Sequence, residues 1–254
     1  MLKTALKAAR ASGNILRSYF KDGCEVYPKG TFDLVTDADF ESENKAIEII
    51  SQEFPDHSFA CEECGAFGDT NSEYKWLIDA LDGTINFSRK LPLFSVSIGL
   101  LKNDLPLLSV VYNPITDELY FAEKGKGAYL NDKKIKISNN SHIKESIFVS
   151  DLTKDRDYHD QFFKIFSSLS KDILGIRLTQ STSINLAFVA EGRYDAYIKN
   201  KINFCDVAAG ILLCEEAGGL AMDFSGDVIT KCSKNIIVCN QYLKNQILDR
   251  IELI

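Results

Sequence analysis

Apolar residues recur at helical spacing over residues 2–20, where Leu6, Leu16 and Phe20 alternate with Lys and Arg. This period predicts an amphipathic helix with one buried face. A second helix is predicted after Asp39 and ends before Pro55, because a helix rarely continues into the residue that precedes a proline.

Between these two helices, Gly23 and the run Pro28-Lys29-Gly30 predict a loop. The loop is polar and comes just before a cluster of acidic residues. It is interpreted either as a mobile flap or as an ordinary connector.

The middle of the chain changes to short apolar or alternating runs, which favour β-strands. The runs cover residues 94–102, 107–113, 118–123 and 128–130. Turn residues separate them, so an antiparallel meander is expected. Residues 139–160 are polar and are predicted as a loop that separates two halves of the chain.

The second half alternates helices with strands. Helices are predicted at residues 160–169, 183–190, 206–217 and 240–254, and strands at 195–198, 220–223 and 236–239. Gly218 and Gly219 follow the third of these helices, as glycines commonly do at a helix C-terminus.

The 254 residues, 45% of them hydrophobic, can bury a sizeable core as one large domain or two coupled halves. The net charge of −7 disfavours a general nucleic-acid surface. No apolar stretch approaches the roughly 20 residues of a membrane span. The odd, scattered set of seven cysteines indicates reduced thiols in a cytoplasm, and Cys61 and Cys64 have no second pair to complete a zinc site.

The chemistry centres on residues 76–87, Trp-Leu-Ile-Asp-Ala-Leu-Asp-Gly-Thr-Ile-Asn-Phe. Three apolar residues predict a buried strand, and Asp79 and Asp82 are expected on the turn where that strand ends. With the Leu81 carbonyl they could offer oxygen ligands to a hard cation such as Mg²⁺. Gly83 and Thr84 could hold an anion beside it. The alternative is an ordinary surface turn.

Three further acidic positions carry structural alternatives. Thr36 and Asp39 have the spacing of a capping box, so Asp39 is expected to cap the second helix. Glu62 and Glu63 follow a predicted short strand at residues 58–60 and could simply be solvated. Asp206 opens a helix, where an N-cap is the alternative to a ligand.

Taken together these motifs resemble the signatures of the inositol monophosphatase family of Mg²⁺-dependent phosphatases. The matching segments are residues 34–39, 62–63, 76–87, 125–138 and 206–219. Three positions depart from the family pattern: Ala80 replaces a usual Pro, Cys61 a usual Gly and Cys205 a usual Trp.

The resemblance implies an α+β fold, a layered αβαβα sandwich of the inositol monophosphatase and fructose-1,6-bisphosphatase type. It implies a single catalytic domain over residues 1–254, with most metal ligands before about residue 140 and Asp206 with the substrate side in residues 141–254. It also implies a homodimer, here expected in the cytoplasm.

Carried over residue by residue, the resemblance implies two or three Mg²⁺ ions. Glu62, Asp79 and the Leu81 carbonyl would hold one ion, and Asp79, Asp82 and Asp206 a second. Gly83 and Thr84 would bind the phosphate beside Asp82 and Asp206. Thr84, oriented by Asp39, would position or deprotonate the attacking water, and Glu62 would assist through another metal.

The expected substrate is a small phosphorylated metabolite, with neither nucleic acid nor membrane as a partner. In inositol-specific members an acidic residue seven positions before the Asp206 equivalent receives sugar hydroxyls; here that position is Lys199. A lysine fits a substrate with a second phosphate, unless it simply points to solvent. The alternatives are a fructose-1,6-bisphosphatase, a 3′-phosphoadenosine 5′-phosphate phosphatase, or a non-catalytic regulator that binds protein or RNA.

Overall fold

The computed structural model describes residues 1–251. The helices within these residues are α1 Leu2–Asp22, α2 Asp37–Glu53, α3 Thr84–Ser88, α4 His159–Leu169, α5 Thr182–Ala190, α6 Phe204–Glu216 and α7 Lys244–Ile251. Two short 3-10 helices cover Ile143–Glu145 and Arg156–Tyr158.

The strands of the first part of the chain are β1 Val26–Gly30, β2 Asp33–Thr36, β3 Ser58–Cys61, β4 Gly65–Gly68, β5 Tyr74–Asp82, β6 Ser95–Lys102, β7 Leu105–Asn113, β8 Glu118–Glu123, β9 Gly127–Leu130 and β10 Lys133–Lys134. Those of the second part are β11 Ile147–Ser150, β12 Gly175–Leu178, β13 Ala196–Lys199, β14 Leu220–Met222 and β15 Ile236–Cys239.

Two sheets carry the architecture. The larger has eight strands in the order β10-β9-β8-β7-β6-β5-β3-β4, antiparallel except for the β3–β5 pair. The smaller has five in the order β12-β11-β13-β15-β14, in which β11 lies parallel to both of its neighbours. β1 and β2 form a separate hairpin.

Helices cover both faces of these sheets. α1 and α2 pack on one face of the large sheet around a core that includes Trp76 and Phe94. α5 and α6 lie between the two sheets, around Leu186 and Leu212, and α4 and α7 cover the far face of the small sheet around Phe148. The layers therefore run helix, sheet, helix, sheet, helix, and this confirms the predicted α+β sandwich.

Most of the predicted elements are confirmed. The first two helices are present, and Thr36 and Asp39 form a complete capping box at the start of α2. The antiparallel meander is β6 to β9, with an additional short strand, β10. The final predicted helix is observed as α7; its last predicted residues, 252–254, lie outside the described part of the chain.

The predicted loop at residues 23–30 was wrong, because Val26 to Thr36 form the β1–β2 hairpin. All five residues of β1 are exposed. Only Val35 and Thr36 of β2 are buried, so the ribbon has no apolar alternation and its pairing leaves little hydrophobic signal in the sequence.

The predicted loop at residues 139–160 was also wrong in part. It contains β11, a parallel strand of the small sheet that buries Phe148 and Val149. The run Ile-Phe-Val-Ser is only four residues long and polar residues surround it, so a search for longer periodic runs passes over it. β12, its exposed neighbour, was missed for the same reason.

None of the helices within residues 1–251 is long and apolar enough to cross a membrane.

Close packing of α5 on α6 yields the first prediction. A Cβ added to Gly210 would lie 2.6 Å from Cβ of the buried Leu186. Gly210→Ala should therefore lower the free energy of unfolding by about 1–2 kcal/mol, because overpacking outweighs the gain in helix propensity. Urea unfolding followed by circular dichroism measures this change.

Gly99→Ala is the matched control for that variant. Gly99 lies on β6, and its added Cβ would lie 3.5 Å from Cβ of Ala209 on α6, which is an ordinary contact distance. The free energy of unfolding should therefore change little. Equal stability of both variants and the parent chain would contradict the proposed close contact.

Candidate active site

A cavity of about 280 Å³ opens where the end of β5, the start of α5 and the end of β13 meet. Residues from both halves of the chain line it. They include the predicted site residues Glu62, Asp79, Leu81, Asp82, Gly83, Thr84 and Lys199. Its size suits a small metabolite rather than a polymer.

Asp79 and Asp82 do not lie on a turn after the strand, as the sequence suggested, but within the last part of β5. Asp79 pairs with Ser97 of β6 and Asp82 with Ser95, so three steps on β5 oppose two on β6. This bulge matters because residues three apart on a regular strand point to opposite faces. The irregularity allows both carboxyl groups to line the same cavity.

Asp82 is held by the beginning of α5. Its carboxylate accepts hydrogen bonds from the Ser181 hydroxyl at 2.7 Å, the Ser183 amide at 2.7 Å and the Thr182 amide at 3.2 Å. Asp82 therefore joins the large sheet to the helix layer behind it.

Glu62 follows β3 and is placed by backbone contacts. Its amide donates to the Ile78 carbonyl at 3.1 Å, and the buried Glu43 carboxylate accepts from the amides of Glu63 and Cys64. Lys29 of the β1–β2 hairpin lies 2.6 Å from a Glu63 oxygen and 3.6 Å from a Glu62 oxygen. The hairpin therefore brings a cation to this rim of the cavity.

Asp39 and Thr84 form a hydrogen-bonded pair. The Asp39 carboxylate accepts from the Thr36 amide at 2.8 Å, the Thr36 hydroxyl at 2.6 Å and the Thr84 hydroxyl at 3.0 Å. The Thr84 oxygen also lies 3.2 Å from the Leu81 carbonyl oxygen. Since a hydroxyl has one proton, donation to Asp39 leaves its lone pairs free to accept from another molecule.

Asp206 was predicted as a possible N-cap, and the structure corrects this. Asn203 caps α6 by accepting from the Cys205 amide, and Asp206 lies inside the first turn. Asp206 and Asp39 are not among the residues that line the cavity. The Asp206 carboxyl nevertheless lies close enough to Asp79 to raise its pKa.

The acidic groups raise one another's pKa values. Burial, followed by the nearby carboxyls of Glu62, Asp82 and Asp206, holds the pKa of Asp79 well above its usual value. Burial also raises the pKa values of Asp39, Asp82 and Asp206 to about 6. Buried carboxylates that repel one another favour either protons or a shared cation.

This donor set fits a hard divalent cation, because every candidate ligand is a carboxylate or carbonyl oxygen. Within residues 1–251, however, no three side chains of His, Cys, Asp or Glu stand in the arrangement of a formed metal site. Asp82 is turned toward α5, so the carboxyls would have to close around an ion.

Gly83 supplies the close approach of backbone that the sequence suggested. It has a left-handed conformation with φ of 102°, and an added Cβ would lie 2.9 Å from the Leu93 carbonyl oxygen. Residues with a side chain rarely adopt this φ, and a Cβ so close to the carbonyl oxygen would force the backbone to shift. Gly83 and Thr84 both line the cavity.

Lys199, at the end of β13, does not simply point to solvent. Its ammonium donates to the Thr182 hydroxyl at 3.1 Å, and the side chain lines the cavity together with Lys201.

Asp151 and Lys154 are charged residues of the cavity that were missed in the sequence. Asp151 is buried and accepts from Tyr197, Thr182 and Asn185. It follows the short strand β11, so the signal was a carboxylate after a buried strand, as for Asp79, but that segment had been interpreted as a loop. Lys154, three residues further on, carried no signal and forms an ion pair with Asp33.

Comparison with known proteins shows the family of this chain. The model of the inositol monophosphatase family matches residues 1–253. An inositol-1-monophosphatase from Caulobacter vibrioides is 35% identical over 99% of both chains, and a Nus factor SuhB from Haemophilus influenzae is 36% identical over 99% of this chain and 95% of that protein. The crystal structure of the extragenic suppressor protein suhB from Bartonella henselae superposes with a TM-score of 0.95, at 30% identity, over 99% of this chain and 98% of that one. The chain belongs to the inositol monophosphatase family.

The carboxyl cluster predicts a stability that depends on Mg²⁺ and pH. The raised pKa values mean that the folded chain holds protons the unfolded chain has lost, so without metal its stability should fall as pH rises from about 4 to about 6. Saturating Mg²⁺ should raise the thermal midpoint by a few degrees near pH 8 and by less near pH 5, where protons compete for the same oxygens.

Differential scanning fluorimetry with MgCl₂, with NaCl of equal ionic strength as the control, measures this shift. An equal shift with both salts, or a larger magnesium shift near pH 5, would contradict the expected competition between ions and protons.

Proposed function

We propose that this chain is a Mg²⁺-dependent phosphatase that hydrolyses a small phosphate monoester. The observation that carries the proposal is the cluster of Glu62, Asp79, Asp82 and Asp206, whose charges act on one another beside a cavity. Phosphate monoesters hydrolyse extremely slowly without a catalyst, so a large stabilisation of the transition state is required. Family membership supports the reaction class.

The chain's own residues divide into ion ligands and phosphate ligands. Glu62, Asp79 and the Leu81 carbonyl would hold one ion, Asp79, Asp82 and Asp206 a second, and Glu62 would assist a third if one binds. Bound divalent cations would neutralise phosphate charge and make water a better nucleophile. Gly83 and Thr84 would meet the phosphate oxygens, because both residues line the cavity.

Thr84 and Asp39 would position the attacking water. Asp39 accepts the Thr84 proton at 3.0 Å, so the Thr84 oxygen is left to accept a hydrogen bond from a water molecule. With a pKa of about 6, Asp39 is ionised near neutral pH and keeps Thr84 in this orientation. Below that pH, protonation removes the charge of Asp39 and weakens the hydrogen bond that it accepts from Thr84.

We also expect the properties that accompany this family, namely a homodimer that acts on a small phosphorylated metabolite in the cytoplasm. Fructose-1,6-bisphosphatase and 3′-phosphoadenosine 5′-phosphate phosphatase activities are variants of the same proposal. They would use the same bound ions and would differ in the part of the substrate that the rest of the cavity binds.

A second candidate function is regulatory. The relatives named Nus factor SuhB, such as the Haemophilus influenzae protein, favour it. A regulatory role would require a protein or RNA surface and would not depend on the acidic cluster. The carboxyls retained around the cavity favour catalysis, so the phosphatase remains the first proposal.

Asp79→Asn tests the proposal, because this residue would be shared by both ions. The rate of phosphate release from inositol 1-phosphate with Mg²⁺ should fall by about two orders of magnitude or more. Loss of this carboxylate would weaken the binding of both cations, which would otherwise stabilise the charge of the transition state. A colorimetric phosphate assay measures the rate.

Asp132→Asn is the matched control, since Asp132 is exposed in the turn before β10, and it should retain the parent rate. Turnover in Asp79→Asn equal to that of the parent would refute the assignment of Asp79. A regulatory function would survive Asp79→Asn, so the variant also separates the two candidate functions.

A further inference from the structure

We propose that the substrate carries a second anionic group, bound by Lys199 and Lys201 at the end of β13; this inference rests on the proposed phosphatase function. Both side chains line the cavity that contains Asp79, Gly83 and Thr84. The scissile phosphate would lie at the acidic end, and the second phosphate or carboxylate at the lysine end.

Lys199 is anchored by a neutral group. Its ammonium donates to the Thr182 hydroxyl at 3.1 Å, and that hydroxyl donates to the Asp151 carboxylate at 3.0 Å. Asp151 is buried and also accepts from Asn185 at 2.7 Å and Tyr197 at 2.9 Å. The network fixes the lysine's direction through a single hydrogen bond.

Lys199 and Lys201 both have N–H donors that no protein group uses in the described part of the chain. A lysine ammonium has three N–H donors, and one is used on Thr182. Within residues 1–251, neither Lys199 nor Lys201 makes an ion pair with a carboxylate. The Lys201 nitrogen lies 4.8 Å from the centroid of the Tyr158 ring and 3.5 Å from its hydroxyl. Both ammonium groups, whose residues line the cavity, therefore keep unused N–H donors.

The charge of Lys199 is close to that of the acidic groups. Lys199 donates to the Thr182 hydroxyl, and the Thr182 amide donates to the Asp82 carboxylate, so the ammonium lies near a proposed metal ligand. Without metal ions, Lys199 would act as a counterion of the acidic groups. Divalent cations bound by those groups would neutralise the same negative charge, and the lysine would then attract another anion.

A neutral polyol fits this end of the cavity less well. Hydroxyl groups can accept from an ammonium, but they bring no charge to balance it, whereas a phosphate offers several charged acceptors. Lys154 also lines the cavity, and it is paired with Asp33 of the β1–β2 hairpin. Because Asp33 balances its charge, Lys154 adds little net charge to this end of the cavity, whose positive charge comes from Lys199 and Lys201.

The test compares substrates that differ by one phosphate. Specificity constants are measured with Mg²⁺ for fructose 1,6-bisphosphate, fructose 1-phosphate and inositol 1-phosphate, in the parent chain, Lys199→Gln and Lys201→Gln. The parent should prefer the bisphosphate. The ratio of bisphosphate to fructose 1-phosphate should fall about 10- to 100-fold in Lys199→Gln, the size of a lost hydrogen bond to a charged group, and the change should appear mainly in KM.

Lys144→Gln is the matched control, because Lys144 is exposed and lies outside the cavity; its ratio should equal that of the parent. Circular dichroism of each variant separates loss of binding from loss of fold. Lys199→Glu should move the preference further toward inositol 1-phosphate.

The outcomes separate this inference from the function on which it rests. Ratios that are equal in the parent and both lysine variants, or a parent preference for inositol 1-phosphate, would overturn the second anion site and leave the phosphatase intact. If the parent hydrolyses none of the three esters, the phosphatase proposal fails. Calorimetric titration with the bisphosphate and with fructose 1-phosphate then decides the anion site: tighter binding of the bisphosphate supports it, and equal binding overturns it.

Discussion

Repulsion among carboxyl groups is the constraint on which the acidic end of this molecule depends. Glu62 comes from the turn after β3, Asp79 and Asp82 from β5 and Asp206 from α6, and the carboxyl groups of the set lie within electrostatic range of one another. Holding them together costs stability unless protons or cations offset the charge. The bulge in β5, the three donors to Asp82 and the Glu43 contacts behind Glu62 all hold this arrangement in place. The layered fold thus serves to fix like charges at a shared opening.

The cavity joins two chemical environments because it lies between the two sheets. The large sheet contributes Asp79 and Asp82, which Gly83 and Thr84 follow, and the small sheet contributes Lys199. Residues from one sheet alone could bind an ion or an anion, but the combination places a substrate across the junction. α5 connects the two environments, since Asp82 accepts from its first turn and Lys199 donates to Thr182 in that same turn. A change at this helix terminus would therefore reach both ends of the cavity.

The sequence could predict the elements that local patterns determine, but not the features that depend on contacts between distant segments of the chain. The strand before Asp79, the capping box at Asp39 and the helices of the second half follow from local patterns, and the structure confirms them. The bulge that brings Asp79 and Asp82 to one face depends on pairing with β6, so periodicity within β5 alone cannot indicate it. Asp151 and Lys154 escaped notice because β11 is short and its burial is decided by neighbours distant in the chain. The β1–β2 hairpin, which carries Lys29 to the site, buries nothing in β1 and so has no hydrophobic signature.

The central claim is that the acidic cluster binds phosphate only through bound cations. Calorimetric titration of inorganic phosphate, with and without saturating Mg²⁺, tests it most directly, because it requires neither turnover nor knowledge of the substrate. With an uncompensated acidic cluster, phosphate should bind weakly or not at all; with Mg²⁺ present it should bind measurably, and each ligand should tighten the other by the same factor. Phosphate binding of equal affinity in both conditions would contradict the account, since the lysines alone would then suffice to hold the anion.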